Sequence, residues 1–481
     1  MNQSSLPPLF DFSQHKPRRD EILGLIKQFA SHEAFRSAVV DELELDEDFY
    51  RRPLRPEDLA FLKFQKPISA ETVSRLPSLA TNRLLLSINE LGIARLPRRQ
   101  NALEFERFES FYRDSNQLLG QQIRPYLESY GFTYLGNEPV AGKVIRDYSR
   151  LVREVFDAEQ RHWAGLFAML TRNDYLNEGL RLILIQQWAL APSRRSALAR
   201  AAASGYFAGI ASTDWPTLAG ALPSDALMRE VAAMSGVARQ SHSYWQFYLP
   251  TSLAKVNLLY ALGSRPDRAF ALLGAAFAAE AEWLAFGAAL LAACPHLKQL
   301  EAVPPANEES LYADLDRRLR HALAVVEDIH GGNALSRVGQ GAGAYAKLAD
   351  RARWDLGEQL RWLSAIPRYC AWARVIDQRI QVEYPNIDRD TFVEPREMCS
   401  TTHVHSDHRL VVIERGDMVF WGNLGMQLKM TVGDMVLIPD GRLHGSTVVS
   451  EECTYHQPII PDAWIEELLA ETAIRHPVQA H

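Results

Sequence analysis

The sequence predicts a multidomain α + β protein, in which a long helical region is followed by an antiparallel β-barrel. Residues 20–380 carry apolar side chains at helical spacing, in segments separated by short breaks rich in proline, glycine and serine. From about Gln381 this period gives way to short runs of β-branched residues punctuated by glycines, which is typical of strands joined by turns. We therefore expect a helical N-terminal domain at 1–143, a helical bundle at 144–380 and the barrel at 381–481.

The N-terminal segments carry recognisable helix starts. Asp20 and Glu21 place acidic side chains in the first turn of an amphipathic segment. Pro56 and Ser69 are predicted to open two further helices, and residues 101–130 are predicted to form one long helix. No constellation of reactive side chains stands out here, so packing or oligomerisation is the expected role.

The most apolar stretch, Ala269–Ala293, is rich in small residues and interrupted by Glu280 and Glu282. Two carboxylates are costly inside a bilayer, so we expect a buried helix and no membrane span.

Composition excludes several classes of protein. The 481 residues are 47% hydrophobic and 23% charged, as in ordinary globular proteins, and the net charge of −7 argues against a nucleic-acid partner. No secretory signal pattern is visible at the N-terminus, and no pair of cysteines has CxxC spacing. We expect a cytoplasmic protein with reduced thiols. The cysteines are Cys294, Cys370, Cys399 and Cys453.

The last hundred residues carry the clearest strand patterns. Strands are predicted at residues 391–393, 410–414, 417–421 and 435–439, and a short helix at 463–472.

Three histidines in this region predict a metal site. His403 and His405 are two residues apart, so in a strand both side chains lie on one face. About forty residues later, a Gly433-Asp434 turn leads through an apolar strand and a Pro-x-Gly turn to His444. Three neutral imidazoles can bind a divalent first-row metal and leave positions open for dioxygen and substrate. Histidine ligation alone does not choose between iron, zinc and manganese.

These two segments resemble the two signature motifs of the cupin superfamily. Most metal-binding cupins also have a glutamate four or five residues after the second histidine, where this chain has Arg409 and Leu410. The resemblance therefore implies a three-histidine variant, with Glu414, Asp407 and His408 as weaker ligand candidates. Residues that could face a substrate are His456, Tyr455, Arg396, Trp421, Arg442 and Gln457.

The order of the three regions resembles the tri-domain N-nitrosating nonhaem iron enzymes of the streptozotocin-biosynthesis type. That resemblance implies an N-terminal dimerisation domain, a haem-oxygenase-like domain whose diiron centre hydroxylates guanidine nitrogens, and a cupin. The cupin would use Fe(II) and dioxygen to rearrange the hydroxylated guanidine into an N-nitrosourea. Residues 248–254 and 262–270, which lead to Glu280, resemble the helical pair before a diiron glutamate.

The diiron centre itself is doubtful, because that family has H-x-x-x-D-x-x-H on one helix. The best match here is Leu323, Glu327 and His330. Either the bundle has lost one or both irons, which we favour, or an altered second site exists. The earlier helix offers only Gln186 and Gln187, and the candidates for an altered site are Glu280, Glu282, Glu327, Asp328, His330 and His242.

The leading functional hypothesis is a dioxygen-dependent cupin oxygenase acting on a small nitrogen-rich metabolite and forming an N–N or N–O bond. A homodimer is expected, and a partner N-hydroxylase if the bundle has lost its irons. The alternatives are a metal-binding cupin that senses or binds a ligand without redox chemistry, and a zinc or manganese isomerase.

Overall fold

The computed structural model shows a helical region followed by two antiparallel sheets, which confirms the multidomain α + β fold class. The structure describes residues 6–31, 62, 66–91, 102–137, 144–216, 225–237, 244, 246–294, 308–396, 399–423 and 426–475. In the described ranges the α-helices are α1 (Arg19–Ala30), α2 (Leu76–Glu90), α3 (Ala102–Phe111), α4 (Asp114–Phe132), α5 (Ile145–Arg172), α6 (Leu176–Leu184), α7 (Ala191–Ala203), α8 (Asp225–Met234), α9 (Pro250–Gly263), α10 (Ala269–Ala293), α11 (Glu308–His330), α12 (Gly332–Leu363), α13 (Ile366–Glu383) and α14 (Asp462–Arg475). A π-helical turn, Ile185–Ala189, joins α6 to α7.

The predicted helix starts were partly confirmed. Helix α1 begins at Arg19 and buries Ile22, Ile26 and Phe29 on one stripe. The long helix predicted at 101–130 is instead two helices, α3 and α4, because the chain turns at residues 112–113. The start predicted at Ser69 is a turn, and helix α2 begins later at Leu76, with proline in its first turn. The start predicted at Pro56 lies outside the described residues.

Helix α10 lies at the centre of the helical region, as its composition predicts. It is the one described helix long and apolar enough to cross a membrane, but 89% of its most apolar window is buried inside the protein. Two glycines allow it to pack closely on α12. A Cβ added at Gly274 would lie 1.9 Å from the Val338 carbonyl oxygen, and one at Gly341 would lie 1.9 Å from that of Ala271. Only glycine fits such an approach between backbones.

The β region contains nine strands in the described ranges. They are β1 (Thr391–Pro395), β2 (Cys399–His403), β3 (His408–Arg415), β4 (Met418–Asn423), β5 (Met426–Met430), β6 (Met435–Ile438), β7 (His444–Val448), β8 (Glu452–His456) and β9 (Ile459–Ile460). One sheet has the order β1-β8-β3-β6, with β9 also paired to β3, and the other has the order β2-β7-β4-β5. All pairs are antiparallel. The four predicted strands and the final helix are therefore confirmed, with bounds that differ by a few residues.

The helical region and the β region share buried surface. Leu410 and Leu437, on neighbouring strands, pack with Trp372 of α13 and Trp464 of α14. On α12, the indole N–H of Trp362 donates a hydrogen bond of 3.2 Å to the Leu437 carbonyl. The strands therefore pack against α12, α13 and α14.

Candidate metal centre

Two neighbouring strands position the three histidines. His403 is the last residue of β2 and pairs directly with His444, the first residue of β7. His405 follows β2 by two residues, and its carbonyl accepts a hydrogen bond of 2.9 Å from the N–H of Gly441. Gly441 has a φ of +71°, a conformation that glycine adopts without strain, so the Pro-x-Gly turn brings the two histidine segments together.

The three imidazoles converge on one point. One ring nitrogen from each of His403, His405 and His444 lies within 4.8 Å of those of the other two. The Nε2 atoms of His403 and His405 are 3.2 Å apart, and the His403 and His444 ring centroids are 4.5 Å apart. In the described part of the chain, no other set of three histidine, cysteine or acidic side chains converges in this way.

The hydrogen bonding of His444 leaves one nitrogen available. Its Nδ1 lies 2.8 Å from the Arg442 carbonyl oxygen, which can only accept, so Nδ1 carries the proton and donates. Its Nε2 is buried and has no hydrogen-bond partner. Metal-binding histidines commonly donate the second ring N–H to a carbonyl in this manner. The orphaned Nε2, at the point where the other two rings meet, fits a metal ligand.

Burial keeps two of the rings neutral. It lowers the pKa of His405 to about 2, with further lowering from the neighbouring His444 and Arg409. Burial likewise lowers the pKa of His444 well below its usual value. A neutral imidazole offers the lone pair that a metal requires, so the site is prepared to bind a cation at neutral pH.

A buried arginine from the N-terminal helices supports His403. The Arg83 guanidinium of α2 is 1% exposed and donates to both the carbonyl and the hydroxyl of Thr402, at 3.0 Å each. The Thr402 hydroxyl donates to the Gln246 carbonyl, and the Thr402 N–H donates to the Gln246 side-chain oxygen at 3.2 Å. Two distant segments, one carrying Arg83 and the other Gln246, thus fix the residue next to His403.

A buried glutamine of α12 supports His444 in a similar way. The Gln359 amide donates to the Leu443 carbonyl at 2.9 Å and accepts from the Leu443 N–H at 2.9 Å. Gln359 is fully buried. Both backbone groups of the residue before His444 are therefore held by one side chain.

The weaker ligand candidates have other partners. Asp407 pairs with Arg409 at 2.6 Å, and Arg409 also pairs with Asp390 at 2.8 Å. His408 accepts from the Asp440 N–H at 3.0 Å. Glu414 lies 3.0 Å from Nε2 of His456. None of these candidates joins the three-histidine cluster.

The residues proposed to face a substrate have varied positions. The His456 ring is held between the Thr391 hydroxyl, at 2.9 Å, and Glu414. Tyr455 is 4% exposed and its ring stacks on that of Phe392. Arg396 is exposed beyond the end of β1, where its N–H donates to the Glu451 carbonyl.

The other three residues proposed to face a substrate are Trp421, Arg442 and Gln457. The side chain of Trp421 lies outside the described residues. Arg442 is buried over the Trp354 ring, and Gln457 is half-buried. These positions do not show which of the six residues would touch a substrate.

In the described part of the chain, Glu280, Glu327 and His330 do not converge as metal ligands do. Glu280 is buried and pairs with Arg318 at 2.8 Å, whereas Glu327 and His330 lie exposed on α11. The helical period placed Leu323, Glu327 and His330 on one helix but could not show which of its faces points inward. Asp328 is also exposed, and His242 lies outside the described residues.

Sequence reasoning missed polar residues in the bundle. Glu159 and His162 form an E-x-x-H pair on α5, a spacing that could have been noticed, and Glu159 is 1% exposed. Lys255 and Tyr345 gave no signal, because neither belongs to a motif with the spacing of a metal-binding or catalytic site. Gln186 is explained by structure: its side chain bonds the Phe247 carbonyl and the Leu249 N–H at the start of α9.

Together, the fold and the cluster define a helical protein whose antiparallel β region carries a three-histidine site suited to a metal. No model of a protein family matches the chain. A curated protein does: over 464 residues the chain is 26% identical to a nitrosourea synthase of Streptomyces achromogenes subsp. streptozoticus, covering 90% of this chain and 94% of that protein. This similarity along nearly the whole chain confirms the predicted resemblance to the N-nitrosating enzymes of the streptozotocin-biosynthesis type.

Proposed function

We propose that the protein is a nonhaem iron, dioxygen-dependent enzyme of natural product biosynthesis that forms an N–N or N–O bond in a small nitrogen-rich metabolite. The substrate class is a hydroxylated guanidine or amine, and the product is of the N-nitroso type. The observation that carries the proposal is the convergence of three imidazoles, one with an orphaned buried nitrogen, in a chain similar to a nitrosourea synthase along nearly its whole length.

The residues present fit a single divalent metal held by His403, His405 and His444. Three protein ligands leave coordination positions free, and an iron(II) ion there would supply dioxygen activation. The chain's own contribution is positioning. The Arg442 carbonyl sets the tautomer of His444, while Arg83 and Gln359 hold the adjoining backbone.

Arg409 distinguishes this site from a metal site that has a fourth protein ligand. Its guanidinium cannot bind a cation, and its charge contributes to lowering the pKa of His405. The position that a carboxylate ligand would fill is therefore closed to a metal, which supports a three-histidine centre with open positions.

Anaerobic reconstitution with Fe(II), followed by oxygen uptake on adding an N-hydroxyguanidine substrate, tests the proposal. We expect substrate-dependent oxygen consumption and a product containing a new N–N or N–O bond. The same protein loaded with Zn(II) is the matched control and should consume no oxygen. Equal turnover with zinc would favour an isomerase that uses the metal as a Lewis acid, and metal binding without any turnover would favour a sensor.

The proposal also includes three domains and a homodimer. We assign residues 1–143 to a domain that forms a homodimer, 144–380 to a haem-oxygenase-like bundle and 381–481 to the cupin. Sedimentation of the purified chain at several concentrations tests the dimer, and a monomer at all concentrations would contradict it.

A further inference from the structure

The interior of the helical bundle contains a cluster of charged and polar side chains that the proposed chemistry does not use. We call it the core charge cluster. Most members are nearly or fully buried, and they come from five helices and the π-helical turn. They are Glu159 of α5, Gln187 of the turn, Arg194 of α7, Lys255 of α9, Glu282 of α10, and Tyr345 and Arg353 of α12.

Glu282 is the centre of this cluster and its hydrogen-bonding capacity is used by the protein itself. The Lys255 ammonium lies 2.5 Å from its Oε1, and the Gln187 amide donates to the same oxygen at 3.1 Å. The Tyr345 hydroxyl donates to Oε2 at 2.7 Å. Although burial alone would raise it, Lys255 and Arg194 hold the pKa of Glu282 at about 2, so the carboxylate is ionised and paired.

The second carboxylate, Glu159, is also paired within the protein. It lies 2.7 Å from the Arg353 guanidinium. Burial, followed by repulsion from Glu282, raises the pKa of Glu159 to about 7. The two carboxylates are close enough to repel each other, which is the situation that a bound cation normally relieves.

Here the relieving cations are side chains. Lys255 pairs with Glu282 and Arg353 pairs with Glu159, and the positive charge of Arg194 also lowers the pKa of Glu282. A divalent metal would add two more positive charges to a buried cluster that is already neutralised, which is strongly unfavourable in a low-dielectric interior.

The helix faces also lack ligands. On α10, the positions four before and three after Glu282 are Ala278 and Ala285, neither of which can bind a metal. On α5, His162 lies one turn after Glu159, but the positive charges of Arg353 and Lys255 act on its ring, and they would repel a metal cation bound there. In the described part of the chain these groups do not converge as metal ligands do.

We propose that the bundle is metal-free and that the Lys255 ammonium occupies the role of a metal cation between its buried carboxylates. The diiron centre implied by the family resemblance does not fit these residues. If the proposed function holds, on which this last step rests, the N–O bond of the hydroxylated guanidine is made by a separate N-oxygenating enzyme before the substrate reaches this chain.

Metal counting on the full chain tests the proposal. Wild-type protein and the His403→Ala/His444→Ala variant are each loaded anaerobically with excess Fe(II), desalted and analysed by mass spectrometry for iron. We expect one iron per chain in the wild type and none in the variant. One or more irons retained by the variant would place metal in the bundle and overturn the proposal. The count is independent of turnover, so a failure of the proposed function leaves it decisive.

Charge replacement tests the role of Lys255. Lys255→Met leaves Glu282 buried without its main counterion, and we expect the melting temperature to fall by about 5–15 °C. The double variant Lys255→Met/Glu282→Gln removes both charges and should recover most of that loss, whereas Lys27→Met on the exposed face of α1 should have little effect. If Lys255→Met does not fold, the double variant should still fold, and its failure to do so contradicts the assigned role. A Lys255→Met variant that folds with an unchanged melting temperature also contradicts that role.

Substrate choice tests the reaction order. The iron-loaded enzyme should consume oxygen with an N-hydroxyguanidine and not with the parent guanidine. Equal consumption with the parent guanidine would show that the chain performs its own N-hydroxylation and would overturn this step. If neither compound is turned over, the proposed function fails, and the reaction order derived from it is withdrawn while the iron count still stands.

Discussion

The side-chain amide of Gln359 holds both backbone groups of Leu443, at 2.9 Å each, and Leu443 immediately precedes the metal-site histidine His444. Gln359 belongs to helix α12, whereas Leu443 leads into strand β7. The register of the strand at the metal site is thereby fixed by a helix of the bundle, so the bundle has a function in positioning the site even without a metal of its own.

Replacing this amide should weaken metal binding. Gln359→Leu removes both hydrogen bonds at similar volume, and we expect the Kd for Co(II) or Fe(II) to rise about 10–100-fold, as for other residues that orient metal ligands. Gln381→Leu, at an exposed position of α13, is the matched control and should bind as the wild type does. A Kd unchanged in Gln359→Leu would show that β7 keeps its geometry unaided.

The histidines should divide into two groups. His444→Ala removes the buried ligand with the orphaned Nε2, and we expect metal binding to be lost. His408→Ala removes a ring that accepts from the Asp440 N–H outside the cluster, and we expect one metal per chain to remain. Metal analysis after desalting measures the metal content of both variants. Loss of metal from the His408→Ala variant, with metal retained by the His444→Ala variant, would contradict both assignments.

Close packing of α10 on α12 should be sensitive to a single methyl group. Gly341→Ala places a Cβ 1.9 Å from a backbone oxygen, so the helices must separate, and we expect the free energy of unfolding to fall by about 1–3 kcal/mol or more. Gly343→Ala, two residues along the same helix, meets nothing within 4 Å and should be neutral or stabilise by up to about 1 kcal/mol. Denaturant unfolding of both variants measures the difference, which equal effects would contradict.

Stability should depend on pH through His162. Because burial lowers its pKa from 6.5 to about 4, the folded state binds fewer protons than the unfolded state between these values. Its contribution therefore reduces the stability as pH falls from 6.5 to about 4, by up to about 1.4 kcal/mol per pH unit.

The variant His162→Gln should lose this part of the pH dependence, whereas His330→Gln, at an exposed position, should keep it. Melting temperatures measured from pH 4 to pH 8 provide the comparison. Parallel curves for wild type and His162→Gln would show that His162 titrates normally in the folded protein.

Local patterns predicted the β region and its histidines well, because their information is local. The two-residue period predicted that His403 and His405 would face the same way, although β2 ends at His403, and the turn glycines Gly433 and Gly441 mark where the chain reverses. The spacing to His444 then predicts the return strand, and the structure pairs His403 with His444.

The helical support of the site could not be predicted in this way. Arg83 is separated from Thr402 by 319 residues and Gln359 from Leu443 by 84, and no periodic pattern records such pairings. The same holds for Lys255 and Glu282. Lys255 is the one charged residue of α9, and Glu282 lies beside Glu280 in an apolar helix, so only the packing of α9 against α10 shows that Lys255 and Glu282 neutralise each other.

X-ray absorption at the iron K-edge of the Fe(II)-loaded protein tests the central claim most directly. We predict one iron environment with three imidazoles at about 2.1 Å, the remaining positions filled by oxygen ligands, and no second iron nearby. A spectrum with fewer than three imidazoles, or with an iron–iron distance of about 3.5–4 Å, would contradict a single three-histidine centre.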